Sequence, residues 1–323
     1  MHLTRRNFGG LGLGALGWAR PARADAYPSK SIRVVVPYSA GSASDVLSRL
    51  VFDKLASEIG QTILIDNKPG AGGSIGEAIV ARAEPDGYTL LETPSGHTNI
   101  PTLYPNAPFD TVNGFAAVVP LGNIPVITVV AAQSPLKTLR ELVEAGKSRP
   151  DGLSFASAGI GSGSHFAGER LRLSAGFKAV HVPYKGGPEA VADTITGRVD
   201  FFPAPLSLVL AFIQDGRLRA LATSSPKRAV ALPDVPTTLE SGFADSDYTL
   251  WSGLLAPAKT PADIIAKLHD SIERILISPD MRAKLSVMGV DPLPMSPVEF
   301  DAQVHREIAA NAIVIKAAGI KGE

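Results

Sequence analysis

Short runs of β-branched and aliphatic residues alternate along this chain with stretches whose apolar positions recur every three or four residues. Ile32–Val36 is a continuous apolar run closed by Pro37, which predicts a buried strand. From Asp45 to Ile59, Leu47, Leu50, Val51 and Leu55 fall on one face of a helix. Thr62–Ile65 predicts a second strand, Ser74–Arg82 a helix and Tyr88–Leu91 a third strand. This βαβαβ order predicts parallel strands joined by right-handed crossovers.

The rhythm then restarts. Strands are expected at Val126–Ala131, Leu153–Ala156, Ala179–Val182 and Arg219–Thr223, with helices at Leu139–Lys147, Ser164–Ala175 and Glu189–Thr196 between them. Two successive α/β units imply two lobes. The C-terminal helical stretches Asp263–Ile277, Asp280–Met288 and Val298–Ala318 have too few strands for a domain and are expected to pack back on the first lobe. Residues 25–126 with 250–323 would then form lobe 1, and residues 127–249 lobe 2. The chain would cross near residues 124–128 and 248–256, the anatomy of a hinge.

A length of 323 residues suits two such units better than one core. The chain carries 31 basic and 31 acidic residues, so it has no electrostatic reason to seek nucleic acid or an anionic membrane surface. It has no cysteine, which excludes disulfides, thiolate metal sites and a thiol nucleophile. The N-terminus changes the picture more. Arg5-Arg6-Asn7-Phe8, a short Gly/Leu/Ala stretch and Ala22-Arg23-Ala24 read as an export signal over residues 1–24, and the paired arginines fit the twin-arginine type. The mature chain is expected to be soluble and periplasmic.

Four small-residue loops follow predicted strands, where open α/β sheets bind ligands. The first, Tyr38-Ser39-Ala40-Gly41-Ser42, feeds a helix whose free N–H groups favour an anion, and Asp45 is expected to cap that helix. The second contains Gly72-Gly73-Ser74-Ile75-Gly76, which fits the G-x-S-x-G elbow of serine hydrolases but sits in a Pro-Gly turn without a persuasive Ser-Asp-His order. The third runs from Ser157 to His165 and lacks the lysine of a phosphate-binding loop. His165 could contact a ligand or cap its own helix. The fourth is His181 to Gly187, where Lys185 could offer a charge or simply face water. His97 could line the cleft or hold a turn. The six histidines show no metal spacing.

These segments, in this order, resemble the Bug-type solute receptors of tripartite tricarboxylate transporters. The likeness runs from Tyr27-Pro28 through Asp86-Gly87-Tyr88-Thr89-Leu90, Gly197-Arg198-Val199-Asp200 and Leu232-Pro233-Asp234-Val235-Pro236-Thr237 to Trp251–Pro261. It implies an α/β, two-lobed periplasmic binding protein, type II-like, with a hinge and an interlobe ligand cleft. It implies a small organic carboxylate held largely by backbone amides, delivery to a two-part membrane permease, no cofactor and no catalysis; a monomer is the default expectation. Carried over by position, the contacts would be Tyr38, Ser39, Ala40, Gly41 and Ser42 with Ser95, His97 and Thr98 from the first lobe. The second lobe would give Ser157, Ala158, Gly161, Ser162, His165, Tyr184 and Asp200, unless Asp200 only caps a strand end. The family's first loop carries paired glycines, whereas here Gly41 precedes Ser42. A sensor that signals to a partner protein, or a hydrolase using Ser74, are the alternatives.

Overall fold

The computed structural model describes residue 2 and residues 27–322. The expected export signal lies outside the described residues.

The first α/β unit contains β1 (Ile32–Val36), α1 (Ala43–Ile59), β2 (Ile63–Asn67), α2 (Ser74–Ala81) and β3 (Thr89–Pro94). β1 pairs in parallel with both β2 and β3, as the βαβαβ pattern requires. A 3-10 turn at Ser95–Asn99 and the short α3 (Ile100–Leu103) follow.

β4 (Phe115–Ala131) is 17 residues long, much longer than the Val126–Ala131 run that hydrophobicity alone picks out. Pro120, Gly122, Asn123 and Pro125 hide its first part, because proline cannot donate to a ladder and glycine weakens one. The strand survives through register shifts between Ala117 and Val119 and between Pro120 and Gly122. Its first part pairs antiparallel with β9 (Thr249–Pro257), from Phe115 opposite Pro257 to Pro125 opposite Thr249. Its second part pairs antiparallel with β7 (Phe202–Pro205) and β8 (Leu218–Thr223). One strand therefore runs through both lobes.

The second lobe adds α4 (Leu139–Ser148), β5 (Leu153–Ser157), α5 (Gly163–Ala175), β6 (Ala179–Pro183), α6 (Gly187–Ile195) and α7 (Leu206–Gln214). β5 and β6 are parallel, with Leu153 beside Ala179 and Ser157 beside Pro183. The sequence pattern passed over β7, whose two prolines break it, and α7, which follows without a gap.

The cores separate accordingly. α1 buries Leu47, Val51 and Leu55, spaced one turn apart, against Ile265, Leu268 and Ile272 of α8 (Ala262–Ile277) and the β1–β3 sheet. In the second lobe Phe155, Leu142, Leu171 and Phe201 form one cluster and Phe202, Val191 and Val209 another. α8 packs on α1 and β4, α9 (Pro279–Val287) on α8, and α10 (Pro297–Ala318) on β4 and the Ser95–Asn99 turn. Phe300 of α10 meets Trp251 of β9 edge-on at 5.0 Å, and the Trp251 indole N–H donates to Glu307 at 2.7 Å. Among the described residues no helix is long and apolar enough to cross a membrane.

Candidate functional site

Each lobe presents the same turn to the space between them. In the first lobe Gly41 takes a left-handed conformation (φ +76°), and Ser42 then caps α1 with extended angles (φ −67°, ψ 164°). The Ser42 N–H donates to Ser39 O at 3.1 Å, and Ser42 Oγ accepts the Asp45 N–H at 3.3 Å. In the second lobe Gly161 (φ +81°) precedes Ser162 (φ −63°, ψ 157°), which caps α5. Ser162 N–H donates to Gly159 O at 3.1 Å, and Ser162 Oγ accepts the His165 N–H at 3.3 Å. The helix N-cap is thus Ser42, and Asp45 stands one turn further in. The shared pattern is legible as Gly41-Ser42-Ala43-Ser44 and Gly161-Ser162-Gly163-Ser164.

The first-turn N–H groups of Ala43, Ser44, Gly163 and Ser164 have no acceptor within their own helices, and both helix dipoles put their positive ends here. Between them lies a cavity of about 50 Å³, room for a few atoms or waters. Tyr38, Ser42, Ser44, Ser162 and Ser164 line it beside Pro94, Ile124, Pro205, Leu208 and Leu250. The start of α6 at Gly187 closes a further side. No charged side chain lines this cavity among the described residues. A larger space of about 270 Å³ adjoins it, sharing Tyr38 and Ala158 and bounded by Gly70–Gly73, Gly159, Tyr184 and Lys185.

The surrounding electrostatics keep side-chain charge low. Burial opposes ionisation of Asp45, yet the Arg49 guanidinium and the Gly41 N–H hold its carboxyl below the usual carboxylate range. Burial raises the Tyr38 and Tyr248 phenols, so both stay neutral. His165 and His181 stack with ring centres 3.7 Å apart and planes within 6°. Burial pushes His165 down to about 3, with His181 adding to it, and pushes His181 down to about 4. Below the cleft, burial raises the carboxyl of Glu92 to about 8, and Ser252 donates a hydrogen bond to it.

The expected site residues divide. Tyr38, Ser42, Ala158 and Ser162 line the smaller cavity, and Tyr184 the larger. Ser39 reaches across to the second lobe, its Oγ lying only 1.9 Å from where a Cβ on Gly186 would sit, while Ala40 and Gly41 are exposed. Ser157 is buried, with its Oγ 2.5 Å from His181 Nε2. His165 stands in its turn as Asp45 does in the first: Ser162 is the cap of α5, and His165 Nδ1 accepts the Gly161 N–H before it at 3.1 Å. Four expected contacts are corrected. His97 does not line the cleft: it lies inside the first lobe, edge-on to Phe115, with Nδ1 3.0 Å from Glu77. Ser95 and Thr98 line neither space: Ser95 Oγ lies 3.1 Å from the Tyr248 hydroxyl, and Thr98 Oγ1 donates to Ser95 O at 2.7 Å. Asp200 does not reach either space, because Arg149 at 2.7 Å and Ser154 at 2.8 Å occupy its carboxylate at the far end of β5. The apolar wall of Leu208 and Leu250 was missed, having no polar signal to mark it.

Residues 47–320 match the family described as the tripartite tricarboxylate transporter family receptor. Protein BugT of Bordetella pertussis is 32% identical over 314 residues, which span 97% of this chain and 96% of BugT. The structure of Rpa4515 from R. palustris with adipate is 29% identical with a TM-score of 0.88, covering 91% of this chain and 99% of that one. MatC from Rhodopseudomonas palustris with bound malate is 32% identical with a TM-score of 0.84, covering 90% and 100%. The fold is that of a two-lobed periplasmic binding protein, and the chain belongs to the tripartite tricarboxylate transporter receptor family.

Proposed function

We propose that this protein is an exported receptor that captures a small organic carboxylate between its lobes and delivers it to a two-part membrane permease. The observation that carries this reading is the pair of serine-capped helix N-termini, at Ser42 and Ser162, facing one small cavity from opposite lobes. Such an arrangement offers an anion several N–H donors and two favourable dipoles without a cationic side chain. A carboxylate is the smallest common group that fits this demand, and the relatives solved with adipate and malate support it. Tyr38, Ser42, Ala158 and Ser162 would touch the carboxylate, and Leu208 and Leu250 its carbon skeleton.

Lobe 1 would comprise residues 25–126 and 250–323, and lobe 2 residues 127–249, with the hinge in β4 and β9. A ligand contacted by both lobes stabilises the closed form over the open one. Residues 1–24 would direct export to the periplasm, by the twin-arginine route, and the mature protein would act as a monomer without catalysis. Ser74, the candidate nucleophile, has no histidine within hydrogen-bond distance among the described residues, which favours binding over hydrolysis.

A thermal-shift screen of the mature protein against mono-, di- and tricarboxylates tests the reading. Binding to the native state raises the melting temperature by mass action. A shift confined to one class of acid is expected. Shifts from uncharged solutes with none from acids would overturn it.

A further inference from the structure

Gly161 has its two backbone polar groups held by different lobes. Its N–H donates to His165 of its own helix at 3.1 Å. Its carbonyl accepts from Asn99 Nδ2 of the first lobe at 2.8 Å. Since a carbonyl can only accept, the Asn99 amide must turn its nitrogen to Gly161 and its oxygen the other way. That oxygen accepts from Asn311 Nδ2 of α10 at 3.0 Å, and the same Asn311 nitrogen lies 2.8 Å from Thr98 Oγ1. Asn99 is fully buried and Asn311 is 7% exposed, so water competes little for these bonds.

An apolar contact runs alongside. Leu103 of α3, Phe166 of α5 and Ile315 of α10 form one buried cluster, with Tyr104, Tyr248 and Ile320 packed around it. Leu103 presses so closely that a Cβ on Gly161 would lie 2.6 Å from its Cδ1. The turn that caps α5 is therefore seated on the first lobe by a hydrogen-bond relay and an apolar clamp, both anchored in α10.

We propose that Asn99 is a positioning residue: through it, Asn311 of the C-terminal helix latches the Gly161–Ser162 turn of the second lobe to the first lobe and resists opening of the cleft. Asn99 and Asn311 line neither space of the cleft. They act on ligand release by holding Ser162 in place, not by touching ligand. The consequence for release rests on the carboxylate-receptor reading; the latch itself does not.

The test uses the full mature protein without added ligand. Amide hydrogen exchange is followed at Gly161–Phe166, with the equivalent turn Gly41–Val46 of the first lobe as the internal reference, alongside the radius of gyration by solution scattering. Asn99→Ala and Asn311→Ala are each expected to speed exchange at Gly161–Phe166 by roughly 10-fold and to expand the protein, with Gly41–Val46 unchanged. The double variant is expected to add little to either single one, because both break one relay. Unchanged exchange at Gly161–Phe166, or an equal rise at both turns, overturns the latch. Should Asn99→Ala fail to fold, Asn311→Ala and Ile315→Ala carry the same test. The acid screen is separate: silence there with selective exchange removes the ligand reading and keeps the latch. With an acid that does bind, faster dissociation at unchanged association is expected in both variants, and an unchanged dissociation rate counts against the latch.

Discussion

Asp45 and His165 occupy the same place in the same turn, one in each lobe. Gly41 N–H donates to Asp45 Oδ2 at 2.9 Å, and Gly161 N–H donates to His165 Nδ1 at 3.1 Å. A carboxylate can accept that bond throughout the neutral range. An imidazole can accept it only while Nδ1 carries no proton, so the second turn is the acid-sensitive one.

Stability should therefore fall in mild acid through the histidine pair. Burial places the folded values of His165 and His181 at about 3 and about 4, below the usual 6.5. The unfolded chain takes up protons that the folded chain refuses, so this contribution is complete above 6.5 and is lost as pH falls toward the folded values. The slope is roughly 1.4 kcal/mol per pH unit for each histidine within that window. Urea denaturation at about pH 7 and about pH 4.5 should show a clearly smaller loss in His181→Phe than in the parent, as the ring stack is kept but one titration removed. Equal losses in the two proteins would contradict this.

Glu92 should act in the opposite direction. Its buried carboxyl titrates at about 8, above the usual 4.5, so the folded state keeps a proton that the unfolded state releases. That contribution is present below 4.5 and disappears as pH rises through 8. Glu92→Gln keeps the shape without the titration. Its melting temperature relative to the parent should climb between about pH 5 and about pH 9. A gap that does not move with pH would show that Glu92 is already ionised in the folded protein.

Part of this site could be read in the sequence and part could not. The glycine and serine positions that begin α1 and α5 are local features, so the chain spells them out. Ser42 and Ser162 fell in the candidate set for that reason. Placement of His97 and Asp200 depends on which way a turn faces, and only Glu77, Phe115, Arg149 and Ser154, distant in sequence, decide it. β4 was half hidden, since Pro120 and Pro125 look like breaks until β9 supplies a partner whose register shifts accommodate them. Asn99 was passed over because its role lies in bonds to Gly161 and Asn311, 62 and 212 positions away.

The two serine caps should not contribute equally. Ser42→Ala should cost about 1 kcal/mol, the usual value of an N-cap hydroxyl, and Ser162→Ala more, because Ser162 Oγ also lies 3.1 Å from Ser164 Oγ; the double variant should cost at least as much as Ser162→Ala. Ser42→Gly should cost only a few tenths of a kcal/mol, because glycine tolerates the cap angles and leaves the N–H groups open to water. Chemical denaturation checks all four. A large loss in Ser42→Gly would mean that Ser42 Oγ does more than accept the Asp45 N–H.

The size of the cavity should be set by Leu250 pressing on the start of α5. A Cβ added at Gly163 would lie 1.9 Å from Leu250 Cδ2, a distance no side chain can accept. Alanine is otherwise better than glycine in a helix by up to about 1 kcal/mol, so Gly163→Ala has no backbone reason to destabilise α5. The strain falls on Leu250, which lines the cavity of about 50 Å³. Gly163→Ala should therefore weaken binding of the best acid from the screen by at least about 10-fold, or roughly 1.4 kcal/mol, while the melting temperature changes little. Gly163→Ala combined with Leu250→Ala should regain most of that affinity, since the shortened side chain vacates the space. Calorimetric titration of the three proteins decides it. If Gly163→Ala binds as tightly as the parent, Leu250 has moved away from the cavity and does not set its size. If the double variant stays weak, the first-turn N–H groups of α5 have themselves shifted, and the helix start matters more than the wall beside it.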